Sequence, residues 1–226
     1  MGLKIIGGEK SFANRREAGR LLGTALKEIV PSNALVLGIP RGGVVVAAAV
    51  ADALDAELDV VLSRKLGAPG NPELAIGAVI EGGAMHLNEG IAGRLGVPRR
   101  YIEGEKAVQL ERIAQRSEAY RKIRPRVDCA GRNVIVVDDG VATGATMMAT
   151  LHGLRKAGSA SLWCALPVGP SDTLEELAEI ADEVVSLTSP AFFNAVGQFY
   201  EVFDQTTDEE VLDLLSRRGG LPREDV

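Results

Sequence analysis

Residues 134–146 read VIVVDDGVATGAT. Four branched apolar residues run straight into Asp138 and Asp139, and the chain then breaks into Gly, Ala and Thr. A short β-branched run bounded by such residues is a buried strand, and the helical pattern over 146–157, closed by Gly158, predicts a helix directly after it. Small residues at a strand-to-helix junction let backbone N–H groups approach an anion, and the helix adds its positive end. Thr143 and Thr146 offer hydroxyl donors to the same anion, for which a phosphate is the natural guest. The two acids would repel it, so they are expected to face hydroxyls or a divalent cation beside it. A phosphate next to a diol describes a ribose 5-phosphate.

Outward from this junction, helix and strand patterns alternate. Ala18, Leu21, Leu22, Ala25, Leu26 and Ile29 recur at helical spacing until Pro31. Residues 35–39 form a short apolar strand ending in Pro40, Arg41, Gly42 and Gly43, followed by an apolar helix. A strand over 59–63 runs into RKLGAPGNPELA, whose Gly and Pro content reads as a long loop of the kind that forms lids. Residues 75–89 suggest an antiparallel pair joined by Gly82 and Gly83. Residues 98–123 read as a charged helix with a thin apolar stripe of Val108, Leu110 and Ile113. Strands are expected at 161–168 and 182–187, with a helix between them capped by Ser171 or Asp172, and GLPREDV at the end reads as frayed. This rhythm predicts an α/β fold with a mostly parallel twisted sheet and helices on both faces. Ligands gather at the carboxyl ends of such strands, where 40–43, 64–73 and 138–146 all fall.

The chain of 226 residues is 46% hydrophobic, and 25 Lys and Arg against 31 Asp and Glu give a net charge of −6. That balance argues against nucleic acid as a partner, since polyanion binding needs excess cations. Cys129 and Cys164 stand far apart without a CxxC or Cys/His cluster, so neither a disulfide framework nor a zinc site is expected and a reducing cytoplasm fits. No apolar leader pattern and no run of about 18 apolar residues suggests a membrane span.

With these residues in view, VIVVDDGVATGAT resembles the ribose-phosphate signature of type I phosphoribosyltransferases, and PRGG and RKLGAPGNPE stand in the order of that family's pyrophosphate loop and mobile catalytic loop. The resemblance covers about residues 15–190 and is nearest to a bacterial subgroup with unassigned substrates. It implies one domain over 1–226, with a mobile loop, hairpin and charged helix inserted at 64–127 and a C-terminal hood or lid at 188–226. Asp138 and Asp139 would bind the ribose 3- and 2-hydroxyls and hold Mg²⁺, directly or through water or those hydroxyls. Gly140, Val141, Ala142, Thr143, Gly144, Ala145 and Thr146 would wrap the 5-phosphate. Pro40, Arg41, Gly42 and Gly43 would hold pyrophosphate, with a strained or cis peptide around Arg41. Arg41 and Lys65 or Arg64 would act catalytically by stabilising charge on the leaving group.

The implied reaction is displacement of pyrophosphate from C1 of phosphoribosyl pyrophosphate (PRPP) by a nitrogen acceptor, in a homodimer. Two departures stand out. Gly140 replaces the family's usual aliphatic residue, and Ala142 replaces the third acid of the 6-oxopurine enzymes, which disfavours hypoxanthine and guanine. Competing readings are a PRPP- or nucleotide-sensing protein without catalysis and a metal-dependent phosphohydrolase, the latter needing further carboxylates. Residue by residue, Asp138 and Asp139 could cap a helix, Arg41 could form a surface salt bridge, and Lys65 could be a solvated loop cation. His86 and His152 have no partner at ligand spacing, and the charged helix could be solvated or dimer-facing. Phe192, Phe193, Phe199, Tyr200 and Phe203 could be the core of a lid or a hood that stacks on a base.

Overall fold

The computed structural model describes residues 2–7 and 11–218. In chain order the first half comprises β1 (Gly2–Ile5), α1 (Arg15–Leu26), β2 (Leu35–Gly38), α2 (Gly42–Leu54), β3 (Glu57–Val60), β4 (Ser63–Ala68), β5 (Asn71–Ile80), β6 (Met85–Leu87) and α3 (Glu89–Arg94). The second half comprises α4 (Arg99–Ile123), β7 (Asn133–Val137), α5 (Ala145–Lys156), β8 (Ser161–Val168), α6 (Ser171–Ala178), β9 (Glu183–Thr188), a 3₁₀ turn (Val196–Phe199) and α7 (Asp208–Arg218).

Six strands form one parallel sheet in the order β1-β9-β8-β7-β2-β3. Side chains alternate across a strand, and β7 shows the result. Ile135 and Val137 join a core with α1 and α2, whereas Val134 and Val136 join a second core with α5 and α6. Both faces are therefore covered, which is why VIVV is continuously apolar.

The stretch 64–75, expected as a long loop, is instead mostly strand. β4 pairs antiparallel with β5, Arg64 opposite Val79 and Lys65 opposite Ala78, and β6 completes a second, three-stranded sheet. The residues that suggested a loop make irregularities inside the hairpin. The register shifts on both sides of Gly67, where a Cβ would lie 2.8 Å from the Pro72 backbone, and Gly70 turns the chain at φ +73°. The β5–β6 turn uses Gly82 and Gly83, both at positive φ, as predicted. The start of α6 differs from expectation: Pro170 is its N-cap residue, with no side-chain capping bond from Ser171 or Asp172. β1, α3 and α7 were not anticipated, and GLPREDV lies outside the described residues.

Along α4 the buried positions are Ile102, Gln109, Ile113, Ser117 and Tyr120, while Val108 is half exposed. Polar side chains occupy part of the inward stripe, so the apolar periodicity is thin. The helix is fastened by Arg121, which donates to Asp59 (2.8 Å), to both oxygens of Glu81 (2.9 and 2.6 Å) and to the Val60 carbonyl (3.2 Å). Asp59 is fully buried. Arg121→Met should cost about 3 kcal/mol, because it strands that carboxylate without its counter-charge. Chemical denaturation checks this, and an unchanged midpoint would show that the network is not what holds α4.

After β9 the chain returns to the start of α1. Phe12 and Tyr200 form a parallel bridge, with Phe12 N–H donating to the Phe199 carbonyl (2.8 Å) and Glu201 N–H to the Phe12 carbonyl (2.9 Å). Among the described residues no helix is long and apolar enough to cross a membrane.

Candidate active site

β2 and β7 are neighbours in register, Gly38 opposite Val137, so PRGG and DDG leave the sheet side by side. The Pro40–Arg41 peptide is cis, and α2 begins immediately after it. The two glycines at the start of α2 face the two acids. A Cβ on Gly42 would sit 2.0 Å from Asp139 Oδ2, and one on Gly43 would sit 2.6 Å from Asp138 Oδ1. Close approach of a carboxylate accounts for Gly42, and the carboxylate and backbone of Asp138 with the Val137 carbonyl account for Gly43.

Each acid has one oxygen engaged within the protein. Asp138 Oδ1 accepts from the Asp139 N–H (2.9 Å), and Asp139 Oδ2 accepts from Arg15 Nε (2.7 Å). Burial pushes the Asp138 carboxyl well above the ordinary range, and the neighbouring charge of Asp139 adds to this while Arg15 opposes it. Burial raises Asp139 as well, with Arg15 pulling it back. Two largely enclosed acids side by side, both with raised carboxyls, are a feature that clusters at functional sites.

Beyond them, the Val141 N–H donates to the Val168 carbonyl (3.0 Å), and the Ala142 carbonyl accepts from Thr173 Oγ1 (2.8 Å). Gly144, at φ +66°, is the N-cap residue of α5 and no side chain caps that end. Ala142, Thr143, Ala145 and Thr146 are exposed around it. The loop is thus fixed from behind and open in front.

Gly140 departs from the family pattern for a visible reason. Its φ is +153°, and a Cβ there would meet Val196 Cγ1 at 2.6 Å. Gly140→Ala should therefore displace the segment around Val196 and lower stability by about 2 kcal/mol. Thermal unfolding checks it, and a Tm equal to wild type would show that the segment yields without cost.

A cleft of about 500 Å³ lies between β4, α4 and the start of α5, lined by Arg64, Lys65, Arg112 and Thr146 among others. A hollow of about 230 Å³ shares Ser63, Arg64 and Thr146 with it and adds Pro40 and Arg116. Asp138 and Asp139 line neither. Arg41 lies 3.8 Å from Asp208 of α7.

Residues 10–203 match the family model of the phosphoribosyl transferase domain. The chain belongs to that family. It is 43% identical over 208 residues to “Putative phosphoribosyl transferase Rv0571c” of Mycobacterium tuberculosis H37Rv, and equally to “Putative phosphoribosyl transferase MT0597” of strain CDC 1551. These matches cover 92% of the chain and 47% of the relatives, so the chain spans about half the length of the curated relatives it matches. The crystal structure of TT1426 from Thermus thermophilus is 46% identical and superposes with a TM-score of 0.87, covering 93% of this chain and all of that one.

Within this phosphoribosyl transferase domain the structure brings 40–43 against 138–139, and Lys65 and Thr146 onto one cleft. Several residues at these places had no signal in the sequence. Arg15 reaches Asp139 across 124 positions. The Tyr200 hydroxyl donates to the Asp139 carbonyl (2.6 Å), and Phe203 lies under the Arg15 guanidinium at 3.8 Å. Arg112 lines the cleft and Arg116 the adjoining hollow, so one face of α4 turns toward them, which the charge pattern alone left open. His86 of β6 and His152 of α5 stack at 3.5 Å. Burial lowers both pKa values, that of His152 to about 4, and neither ring lines the cleft or the hollow. Of the five C-terminal aromatics, Tyr200 is buried and Phe192 is 85% exposed.

Proposed function

We propose that this domain transfers the ribose 5-phosphate of PRPP to a nitrogen acceptor, a nucleobase other than a 6-oxopurine, with release of pyrophosphate. The observation that carries the reading is the junction of β2 and β7. There PRGG and the acid pair meet at adjacent strand ends, and each carboxylate keeps one oxygen outside its internal hydrogen bond. Two such oxygens suit two neighbouring ribose hydroxyls. The open first turn of α5 suits the 5-phosphate, and Ala142 leaves no acid to read a 6-oxo purine. Arg41, Gly42 and Gly43 would hold pyrophosphate, with Lys65 and Arg64 offsetting charge as the C1–oxygen bond breaks.

Mg²⁺ fits this donor set. Among the described residues no cluster of three His, Cys, Asp or Glu offers a protein cage, but Mg²⁺ commonly takes one or two carboxylates and completes its shell with water and substrate phosphates. Asp138 and Asp139 would supply those carboxylates, and the ion would neutralise charge on the departing pyrophosphate.

The test is pyrophosphate release from PRPP and Mg²⁺ across a panel of bases and amines. Release only with an acceptor supports transfer. Release without one indicates hydrolysis, and tight PRPP binding with no release under any acceptor indicates a sensor. Sedimentation equilibrium tests the homodimer, which a single monomeric species would remove.

A further inference from the structure

Arg15 is the first residue of α1, with Asn14 as the cap that fixes the helix start. Its side chain is nearly buried, 12% exposed, and makes three contacts. Nε donates to Asp139 Oδ2 at 2.7 Å, Nη1 donates to the Asp204 carbonyl at 2.7 Å, and the guanidinium plane covers the Phe203 ring at 3.8 Å. Phe203 in turn stacks on Tyr200 (5.0 Å), whose hydroxyl holds the Asp139 carbonyl. Asp139 is thus gripped twice, at its side chain and at its backbone, and both grips lead to the segment after β9.

A guanidinium is suited to this junction. It stays charged when desolvated, its fork serves two acceptors at once, and its flat face stacks on an aromatic ring. A lysine could supply the charge but neither the second aligned donor nor the stacking. Gly42 shares the same point, since a Cβ there would also lie 2.8 Å from Arg15 Nε. The start of α1, the PRGG loop, the acid pair and the C-terminal segment therefore meet at one guanidinium.

We propose that Arg15 is a positioning residue for the ribose-binding acid Asp139, and that Phe203 and the Asp204 carbonyl set its aim, so that the order of the C-terminal segment governs affinity for PRPP. This rests on the proposed role of Asp139 in binding ribose. Arg15 would act through Asp139 and not on the substrate itself. It occupies Oδ2 and so presents the other oxygen in a fixed direction.

The experiment is calorimetric titration of wild type, Arg15→Gln, Arg15→Lys, Phe203→Leu and Asp139→Asn with PRPP, alongside hydrogen exchange of the amides at 199–204. Arg15→Gln should weaken binding about tenfold, as expected for loss of a charge-assisted hydrogen bond, and Arg15→Lys should recover part of it. Phe203→Leu should weaken it about threefold through lost stacking, with faster exchange at 199–204. In the Asp139→Asn background, Arg15→Gln should have little further effect, because it acts through that carboxylate. A simple loss of folding would be additive and would not be rescued by lysine. Wild-type affinity in Arg15→Gln, or full additivity with Asp139→Asn, would overturn the proposal while leaving the PRPP reading intact. Failure of the wild type to bind PRPP would overturn both.

Discussion

Replacing Asp138 by asparagine is expected to weaken PRPP binding about 100-fold, the loss of a hydrogen bond to a charged group, and at the same time to make the protein more stable. The two effects share one cause. Asp138 sits at the end of β7 behind Asp139, and burial raises its pKa well above the ordinary 3.8, with the charge of Asp139 adding to the shift. Between the unfolded value and that raised folded value the native state binds the proton more tightly than the unfolded chain does. Stability therefore falls as pH rises through that window, so the raised carboxyl is a net cost once the unfolded chain has lost the proton. Asparagine keeps an oxygen for the Asp139 N–H and removes the charge. Thermal unfolding from pH 4 to 8 should show a higher Tm at neutral pH and a flatter pH dependence. A lower Tm would mean that the carboxylate is stabilising, and unchanged PRPP affinity would remove Asp138 from the site.

The second large effect separates two adjacent glycines. In Gly43→Ala the new methyl would meet the backbone of β7, 2.8 Å from Asp138 Cα and 3.0 Å from the Val137 carbonyl. Neither can move without shifting α2 from the sheet, so a loss of about 3 kcal/mol is expected. In Gly42→Ala the obstacles are the ends of side chains, Asp139 Oδ2 and Arg15 Nε. Those can rotate away, and alanine's better helix propensity offsets part of the cost by up to about 1 kcal/mol. Stability should fall little, whereas PRPP affinity should fall at least about tenfold, because the carboxylate turns out of line. Denaturation and titration on the same two variants decide the matter, and equal behaviour of the pair would show that the carboxylates are not what excludes a side chain.

The sequence made the parallel sheet and the acid-to-phosphate-loop junction readable because both are local. A continuous apolar run means a strand covered on two sides, and β7 has that burial residue by residue. Acids followed by small residues mark a polar guest, and 138–146 do form an uncapped strand-to-helix turn. The hairpin of β4 and β5 was misread because Gly67, Gly70 and Pro72 carry loop chemistry, although here they shape a bulge and a turn within paired strands. Arg15 was invisible because nothing near it in the chain distinguishes it from Arg16. Its role comes only from the return of the chain after β9. The reason for Gly42 and Gly43 was hidden likewise, since the groups that exclude a Cβ, a carboxylate at one and backbone as well at the other, come from another strand end.

The bridge between Phe12 and Tyr200 has a consequence for the order in which the site is made. A ribosome delivers the acid pair long before residues 199–204, yet the backbone and side-chain grips on Asp139 belong partly to that late segment. During synthesis the sheet can assemble around β7 while Asp139 still lacks its final orientation. With Asp139 binding ribose as proposed, competence to bind would arrive late, when nearly all of the matched domain has been translated, and a nascent chain stalled before Tyr200 would carry the loop without the aim.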